Sequence, residues 1–357
     1  MKIISILKLK KEAQLLDSKL YVLKTFLAIS TAYILGINIP IVNRDMISVL
    51  FGLILTLQPV NIAGIKNGVN QIKATAIGAL VTAIIIYFFG INFITVGLSV
   101  AITLYICLVI NWKSISTVAL FTAIYMTQNF QLGVDGYPSI IRTVEVRLLS
   151  LTFGIFMAIL FNYIFSTFQY RFMTNKRVVY IMKRLLSDME ELKTDIHNKD
   201  RSEIQNNRLA LIKTSGKIEW VYSLFDDMSK EFERRGKSSN INLEELKMKM
   251  FMLNHLRIIC HLLFDINYVL GDRIDDYEDL NEIYEYISDA VNMAMDNLGV
   301  LKNLYDGKHN SPELKHNWIV LPKRRFDNGY AYRIYQNLID INKNIEVIVK
   351  KLRDELI

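Results

Sequence analysis

The sequence is poor in the residues from which disulfide frameworks and metal sites are built. It has two cysteines, Cys107 and Cys260, in 357 residues. One lies in an apolar run and the other in a charged helical stretch, so we expect no disulfide between them. Two cysteines also do not make a metal framework. We therefore expect neither a metal ion nor another cofactor.

Sequence signatures of catalysis and of secretion are missing as well. The sequence has no phosphate-binding GxxxxGK[ST] motif, and no spacing of Ser, His and Asp argues for a nucleophilic triad. An enzyme is therefore not expected. A charged stretch precedes the first apolar run and no small-residue cleavage pattern follows it, so the sequence predicts no signal peptide. Targeting is then expected to depend on the first spanning helix.

Acidic residues are scarce in the first half of the chain. Residues 1–171 contain 5 acidic and 13 basic residues, and this excess accounts for the net charge of +7. A basic protein can bind nucleic acid through a basic patch. Here the basic residues instead separate long apolar runs, which is typical of loops between membrane spans. We therefore expect membrane lipid, and no nucleic acid, as a partner.

Long stretches of this half carry no charge at all. A bilayer core about 30 Å thick is crossed by roughly 20 apolar helical residues. The uncharged interval 74–112 is about twice that length and contains a turn signal at Gly90 and Asn92. The sequence therefore predicts six spans, at about residues 20–38, 46–64, 73–90, 92–111, 114–132 and 147–169.

Lysine and arginine predict the orientation of these spans. They are abundant before the first span and after the last, which places both termini in the cytoplasm of a multi-pass plasma-membrane protein. Lys66 and Lys73 then lie in a cytoplasmic loop. Arg142 and Arg147 lie in an outer loop, against the charge rule, which suggests that they attract an organic anion. The alternatives are pairing with Glu145 or with lipid phosphate.

The sequence after residue 170 has a different pattern. Apolar residues recur at helical spacing from Val178 to Leu192 among many charges. We predict an all-α protein with a transmembrane domain at 1–170 and a cytoplasmic helical bundle at 171–357. Six helices make a small membrane bundle, so we also expect a homo-oligomer.

Two similar elements open the third and sixth predicted spans. Each has polar or cationic residues, then small residues, then a glycine, and the two spans cross in opposite directions. They therefore suggest two inverted three-helix repeats, as in many transporters. Ordinary helix packing explains the small residues equally well. The candidate translocation residues are Gln58, Pro59, Gln71, Lys73, Thr75, Gly78, Arg142, Arg147, Thr152 and Gly154.

These elements carry a family resemblance. Gln58-Pro59, the segment Gln71–Gly78 and the segment Arg147–Gly154 resemble motifs of the fusaric-acid-resistance-like proteins, specifically the aromatic acid exporter family of Gram-positive bacteria. Gln71 stands where that family usually has arginine, and Ala74 where it has glycine. The resemblance implies six spans, a cytoplasmic helical domain and efflux of small aromatic carboxylates.

Three hypotheses follow. The first is an exporter of small organic anions driven by an ion gradient, and the second is an uncoupled anion channel. The third is a membrane-anchored regulatory or scaffold protein that acts through its cytoplasmic domain. No Asp or Glu lies within the predicted spans. This argues against a carboxylate proton relay, so the hypothesis of an uncoupled channel remains.

Overall fold

The structure, a computed structural model, describes residues 19–58, 60–110, 113–128, 130–132, 138–198, 201–235, 240–272, 281–307, 312–315 and 329–356. Within these residues the fold is helical, as predicted, apart from a short antiparallel pair of strands. Strand β1 (Gln131–Leu132) pairs with β2 (Pro138–Ser139). The chain divides between Tyr170 and Arg171 into two compact units, called here the first and second units.

The first unit is built from apolar helices. Helix α1 packs on α3, and α4 packs on both α5 and α6. The helices are α1 (Lys19–Ile37), α2 (Pro40–Asn43), α3 (Met46–Thr56), α4 (Asn61–Phe89), α5 (Phe93–Val109), α6 (Lys113–Gln128) and α7 (Ile140–Asn198).

Three helices of the first unit have other bounds than the spans predicted there. Helix α3 ends at Thr56 instead of 64, α4 begins at Asn61 instead of 73, and α7 begins at Ile140 instead of 147. Leu57 has extended backbone with ψ of 106°. The cause lies in Gln58-Pro59, because a proline disfavours helical backbone in the residue before it and donates no amide hydrogen bond. Pro59 itself lies outside the described residues.

Two further sequence expectations concern α4. Lys66 and Lys73, predicted in a loop, are exposed on this continuous helix. The turn predicted near Gly90 is confirmed: α4 ends at Phe89, and Gly90 has φ of 65°, which favours glycine. The side chain of Asn92 then caps α5 by accepting hydrogen bonds from the amides of Ile94 and Thr95, both at 2.9 Å.

The surface of the first unit is apolar. Among the described residues, Asn61–Phe89 and Ile140–Phe165 are each long and apolar enough to cross a membrane. Most of the exposed large apolar side chains belong to this unit, including Phe93 at 87% and Phe88 at 71% exposure. A water-soluble protein rarely exposes so much apolar surface, whereas lipid covers it at no cost.

The second unit resembles a water-soluble helical bundle. Helix α9 packs on α8 and α11, and α11 also packs on α10. The apolar positions predicted from helical spacing at Val178, Ile181, Leu185 and Leu192 are buried. The helices that follow α7 are α8 (Arg201–Arg235), α9 (Asn240–Asp272), α10 (Asn281–Tyr305) and α11 (Gly329–Leu356).

Candidate functional site

Helices α3 and α7 meet backbone to backbone through two glycines. A Cβ added to Gly154 would lie 2.0 Å from the carbonyl oxygen of Val49, and one added to Gly52 would lie 2.5 Å from that of Leu151. No side chain fits at either position without moving the helices apart. The absence of side chains here lets the polar groups at the ends of α3 reach α7.

Gly78 makes a corresponding contact between α4 and α6. A Cβ there would lie 2.3 Å from the carbonyl oxygen of Ala119. Gly78 and Gly154 each lie seven residues after a buried polar residue, Gln71 and Arg147 respectively. Both elements singled out in the sequence therefore present the same buried helix face and contact the backbone of a neighbouring helix through glycine.

Arg147 lies in a buried cluster with an acidic side chain at the start of α3. Its Nη1 is 3.5 Å from Oδ2 of Asp45, and both side chains are at least 95% buried. The same Nη1 donates a hydrogen bond to the hydroxyl of Ser48, which in turn donates to the Asp45 carboxylate. The Asp45 carboxylate also accepts from the backbone amide of Ser48 at 3.0 Å and so caps α3.

An aromatic ring covers the face of the same guanidinium. The Cζ of Arg147 lies 4.1 Å from the ring centroid of Tyr125 on α6, a distance that favours a cation–π interaction. Among the described residues, Nε of Arg147 has no hydrogen-bond partner. Arg147 therefore binds a carboxylate at its edge and an aromatic ring on its face, and its Nε–H group can still donate a hydrogen bond.

The break between α3 and α4 is held by side chains from α1 and α7. Nζ of Lys24 donates to the carbonyl of Gln58 at 2.7 Å, and the hydroxyl of Tyr21 donates to that of Leu57 at 3.0 Å. Asn162 bridges the break, since its Nδ2 donates to the Thr56 carbonyl at 3.0 Å and its Oδ1 accepts from the Gln58 amide at 3.2 Å. These bonds replace those that the interrupted helix loses, as a discontinuous membrane helix requires.

Gln71 joins the same region from α4. Its Nε2 donates to the hydroxyl of Thr56 at 3.0 Å, while its Oε1 has no partner among the described residues. Thr75 lies one turn further along α4, fully buried, and its hydroxyl also has no described partner. Gln58 and Gln71 therefore both lie near the break, and Thr75 lies one turn beyond Gln71.

The remaining candidates lie on the surface of the first unit. Lys73 and Thr152 are exposed. Nη1 of Arg142 is 2.6 Å from Oε2 of Glu145 one turn along α7, with both side chains partly exposed. This is the pairing that the sequence left as an alternative for Arg142. The two arginines that the sequence treated together therefore have different environments.

Sequence reasoning missed most partners of these residues. Asp45 lies between two predicted spans, although an acidic residue directly before an apolar run is a signal for a helix cap. Asn162 stands as a polar residue inside an otherwise apolar predicted span, which is the usual mark of a functional or structural polar contact. Lys24 lies inside the first predicted span, and no sequence signal points to Tyr125.

Within the described residues, no three His, Cys, Asp or Glu side chains lie close enough to hold a metal ion. The chemistry available in the first unit is therefore that of buried cations, amides and hydroxyls. Such groups bind anions and polar organic molecules by charge-assisted hydrogen bonds.

Comparison with protein families matches this unit. Residues 19–165 match the family described as aromatic acid exporter family member 1, and this segment includes Lys24, Asp45, Arg147 and Asn162. No curated protein matches the chain. The match confirms the resemblance drawn from the sequence motifs. Residues 19–165 are therefore similar to the aromatic acid exporter family, a family of transport proteins, and this match together with the two long apolar helices supports a membrane protein.

Proposed function

We propose that the protein exports small aromatic carboxylates across the plasma membrane and that Arg147 binds the carboxylate of the substrate. The proposal rests on one observation: the buried guanidinium of Arg147 contacts a carboxylate and an aromatic ring at the same time. The carboxylate of Asp45 and the ring of Tyr125 are the two chemical groups of an aromatic acid, and both already lie against Arg147. A substrate carboxylate would replace Asp45, and its ring would stack beside Tyr125.

The burial of Asp45 also bears on the coupling of transport. The argument for an uncoupled channel rested on the lack of an acidic residue in the spans, but Asp45 is 3% exposed beside Arg147. An acidic residue buried beside the substrate-binding arginine removes that argument. We therefore propose that export is driven by an ion gradient, and a proton gradient is the first to be tested. A scaffold function has no support from a specific contact.

Six spans with both termini in the cytoplasm fit the packing of the first unit. Three residues in order along α3 contact three residues in the same order along α7: Asp45 with Arg147, Val49 with Gly154 and Thr56 with Asn162. Helices α3 and α7 therefore run in the same direction. The second and sixth spans of a six-span chain must do so. The exposed Lys66 and Lys73 on α4 suit a cytoplasmic lipid surface. We further propose a homo-oligomer in which the second unit is the cytoplasmic bundle.

A flux assay with three matched solutes tests the function. Purified protein is reconstituted in vesicles, and the movement of 4-hydroxybenzoate, cyclohexanecarboxylate and benzyl alcohol is measured with and without a pH gradient. We expect only the benzoate to move faster than in protein-free vesicles, and this excess flux should respond to the gradient. An equal excess for all three solutes, or steady current without a gradient effect, would contradict the proposal.

Site variants test whether the flux depends on Arg147, Asp45 and Tyr125. The double variant Arg147→Gln, Asp45→Asn removes both buried charges together and avoids leaving one unpaired, and we expect it to lose most of the flux. Tyr125→Leu should lose the preference for the aromatic acid. Arg142→Ala is the matched control, because its guanidinium pairs with Glu145 at the surface. Wild-type flux in the double variant would remove Arg147 from the mechanism.

A further inference from the structure

Helix α5 buries an unusual face. Its buried residues are Thr95, Ser99, Thr103 and Cys107, which recur every four residues and include no large apolar side chain. Its exposed face carries large apolar groups instead, such as Phe93 and Ile94. Small side chains make few dispersion contacts. The fully buried face of α5 therefore contributes few large apolar contacts to its neighbours.

The small residues of α5 pack against α4 and α6. Cys107 belongs to one buried cluster with Ala74 of α4 and with Val118 and Ala119 of α6. Helices α4 and α6 are joined to each other by the backbone contact at Gly78. We call the junction of α5 with this pair the α5 seam.

Some hydroxyls near the α5 seam have partners within their own helices. Ser99 donates to the carbonyl of Thr95 at 2.7 Å, and Thr122 donates to that of Val118 at 2.9 Å. These bonds to the preceding turn are the usual solution for a hydroxyl in an apolar helix.

Three other hydroxyls lack any such bond. Thr75 and Thr82 of α4 and Thr103 of α5 are fully buried, and their Oγ1 atoms have no partner among the described residues. An unpaired hydroxyl shielded from water is unfavourable, and lipid offers it nothing in return. Helices α4 and α5 therefore carry three unfavourable buried groups: Thr103 on the buried face of α5, and Thr75 and Thr82 three residues before and four residues after Gly78 on α4.

We propose that the α5 seam opens to water in the working protein and that Thr75, Thr82 and Thr103 line the aqueous path. Opening gives each hydroxyl a hydrogen-bond partner and breaks few large apolar contacts, because the fully buried residues of α5 have small side chains. The Gly90 turn, which carries no side chain, joins α5 to α4 at one end of the seam. This inference goes beyond the proposed substrate and does not depend on it.

The native Cys107 provides a direct probe. Cys260→Ser leaves Cys107 as the only thiol, and the reconstituted protein is treated with a small charged methanethiosulfonate reagent. A matched control carries Cys107→Ser, Cys260→Ser and Ala158→Cys. Ala158 is as fully buried as Cys107 but lies in an apolar cluster of α1, α3 and α7 with Ala28, Val49 and Leu53.

We expect the reagent to modify Cys107 at a rate severalfold above that of the control position. Thr103→Val and Thr75→Val should slow the modification of Cys107 severalfold without lowering thermal stability, because each removes an unpaired hydroxyl. Thr122→Val, whose hydroxyl is already bonded, should leave the rate unchanged. Equal protection or equal modification of the two positions overturns the proposal, whatever the transport assay gives.

Discussion

Gly154 lies so close to Val49 that a Cβ on the glycine would stand 2.0 Å from the valine carbonyl oxygen. We expect Gly154→Ala to push α7 away from α3 and to lower the free energy of unfolding by about 1–3 kcal/mol, the usual effect of overpacking. Gly78→Ala should act in the same direction at the contact with Ala119. Thermal unfolding in detergent measures both.

Gly97→Ala is the control for these glycines. Gly97 lies within α5, and no atom would come within 4 Å of an added Cβ. Replacing a helical glycine with alanine then stabilises by about 0.5–1 kcal/mol. If Gly154→Ala proved as stable as Gly97→Ala, the close approach of α3 and α7 would be disproved.

Arg142 and Arg147 should differ sharply in their contribution to stability. Arg147→Ala leaves Asp45 buried without its cationic partner, which costs about 3–5 kcal/mol. Arg142→Ala breaks a partly exposed pair with Glu145 and should cost less than about 1 kcal/mol. Chemical unfolding of the two variants in the same detergent gives the comparison, and similar losses would contradict the burial of Arg147.

Asn162 should hold the break between α3 and α4. Asn162→Leu leaves the carbonyl of Thr56 and the amide of Gln58 without their hydrogen bonds, at a cost of about 1–3 kcal/mol for each buried group. Hydrogen–deuterium exchange should then quicken in the segment around Gln58. Asn38→Ala, which removes one exposed bond to the carbonyl of Ile34, is the control and should leave that exchange unchanged.

A pH effect is expected in the second unit at Asp188. Burial raises the pKa of this carboxyl above its ordinary value of 3.8, and the hydrogen bond from Thr214 and the charge of Arg184 offset this only in part. The folded state therefore holds the proton more tightly than the unfolded state. Its contribution to stability is full below about pH 4 and is lost as the pH rises through the raised pKa.

Asp188→Asn should flatten this decline. The amide exchange of α8 in the full-length protein, measured from pH 4 upward, reports the local stability. Asp340→Asn serves as the control, because Asp340 is exposed and pairs with Lys343 at 3.0 Å. A wild-type protein whose α8 gains protection across this pH range would contradict the prediction.

The helices of this protein could be predicted from the sequence more reliably than their ends in the first unit. In the second unit apolar residues recur at helical spacing among polar ones, and the positions predicted from that spacing at Val178, Ile181, Leu185 and Leu192 are buried. In the first unit the uncharged runs do not mark where a helix stops. The end of α3 at Thr56 depends on Pro59, and the early start of α7 at Ile140 has no charge boundary to mark it.

The candidate site could be predicted only in part for a related reason. Arg147 and Gln71 stand out because they open apolar helices, but their partners are set by tertiary packing. Asp45 contacts Arg147, and Asn162 contacts Gln58, each across about 100 residues of sequence separation. The sequence around Gly78 and Gly154 also does not indicate which helix each glycine contacts. A single sequence does not predict such pairings between distant residues.

Helix α5 has a consequence for the lipid that surrounds the protein. Its 17 residues span only about 26 Å, whereas the 29 residues of α4 beside it span about 44 Å. The hydrocarbon layer of an average bilayer is thicker than the length of α5 and thinner than the length of α4. Helix α5 therefore favours local thinning of the bilayer, whereas α4 tilts or extends beyond it. The hydrophobic mismatch of these two neighbours should make the protein sensitive to acyl-chain length, with a preference for thin bilayers.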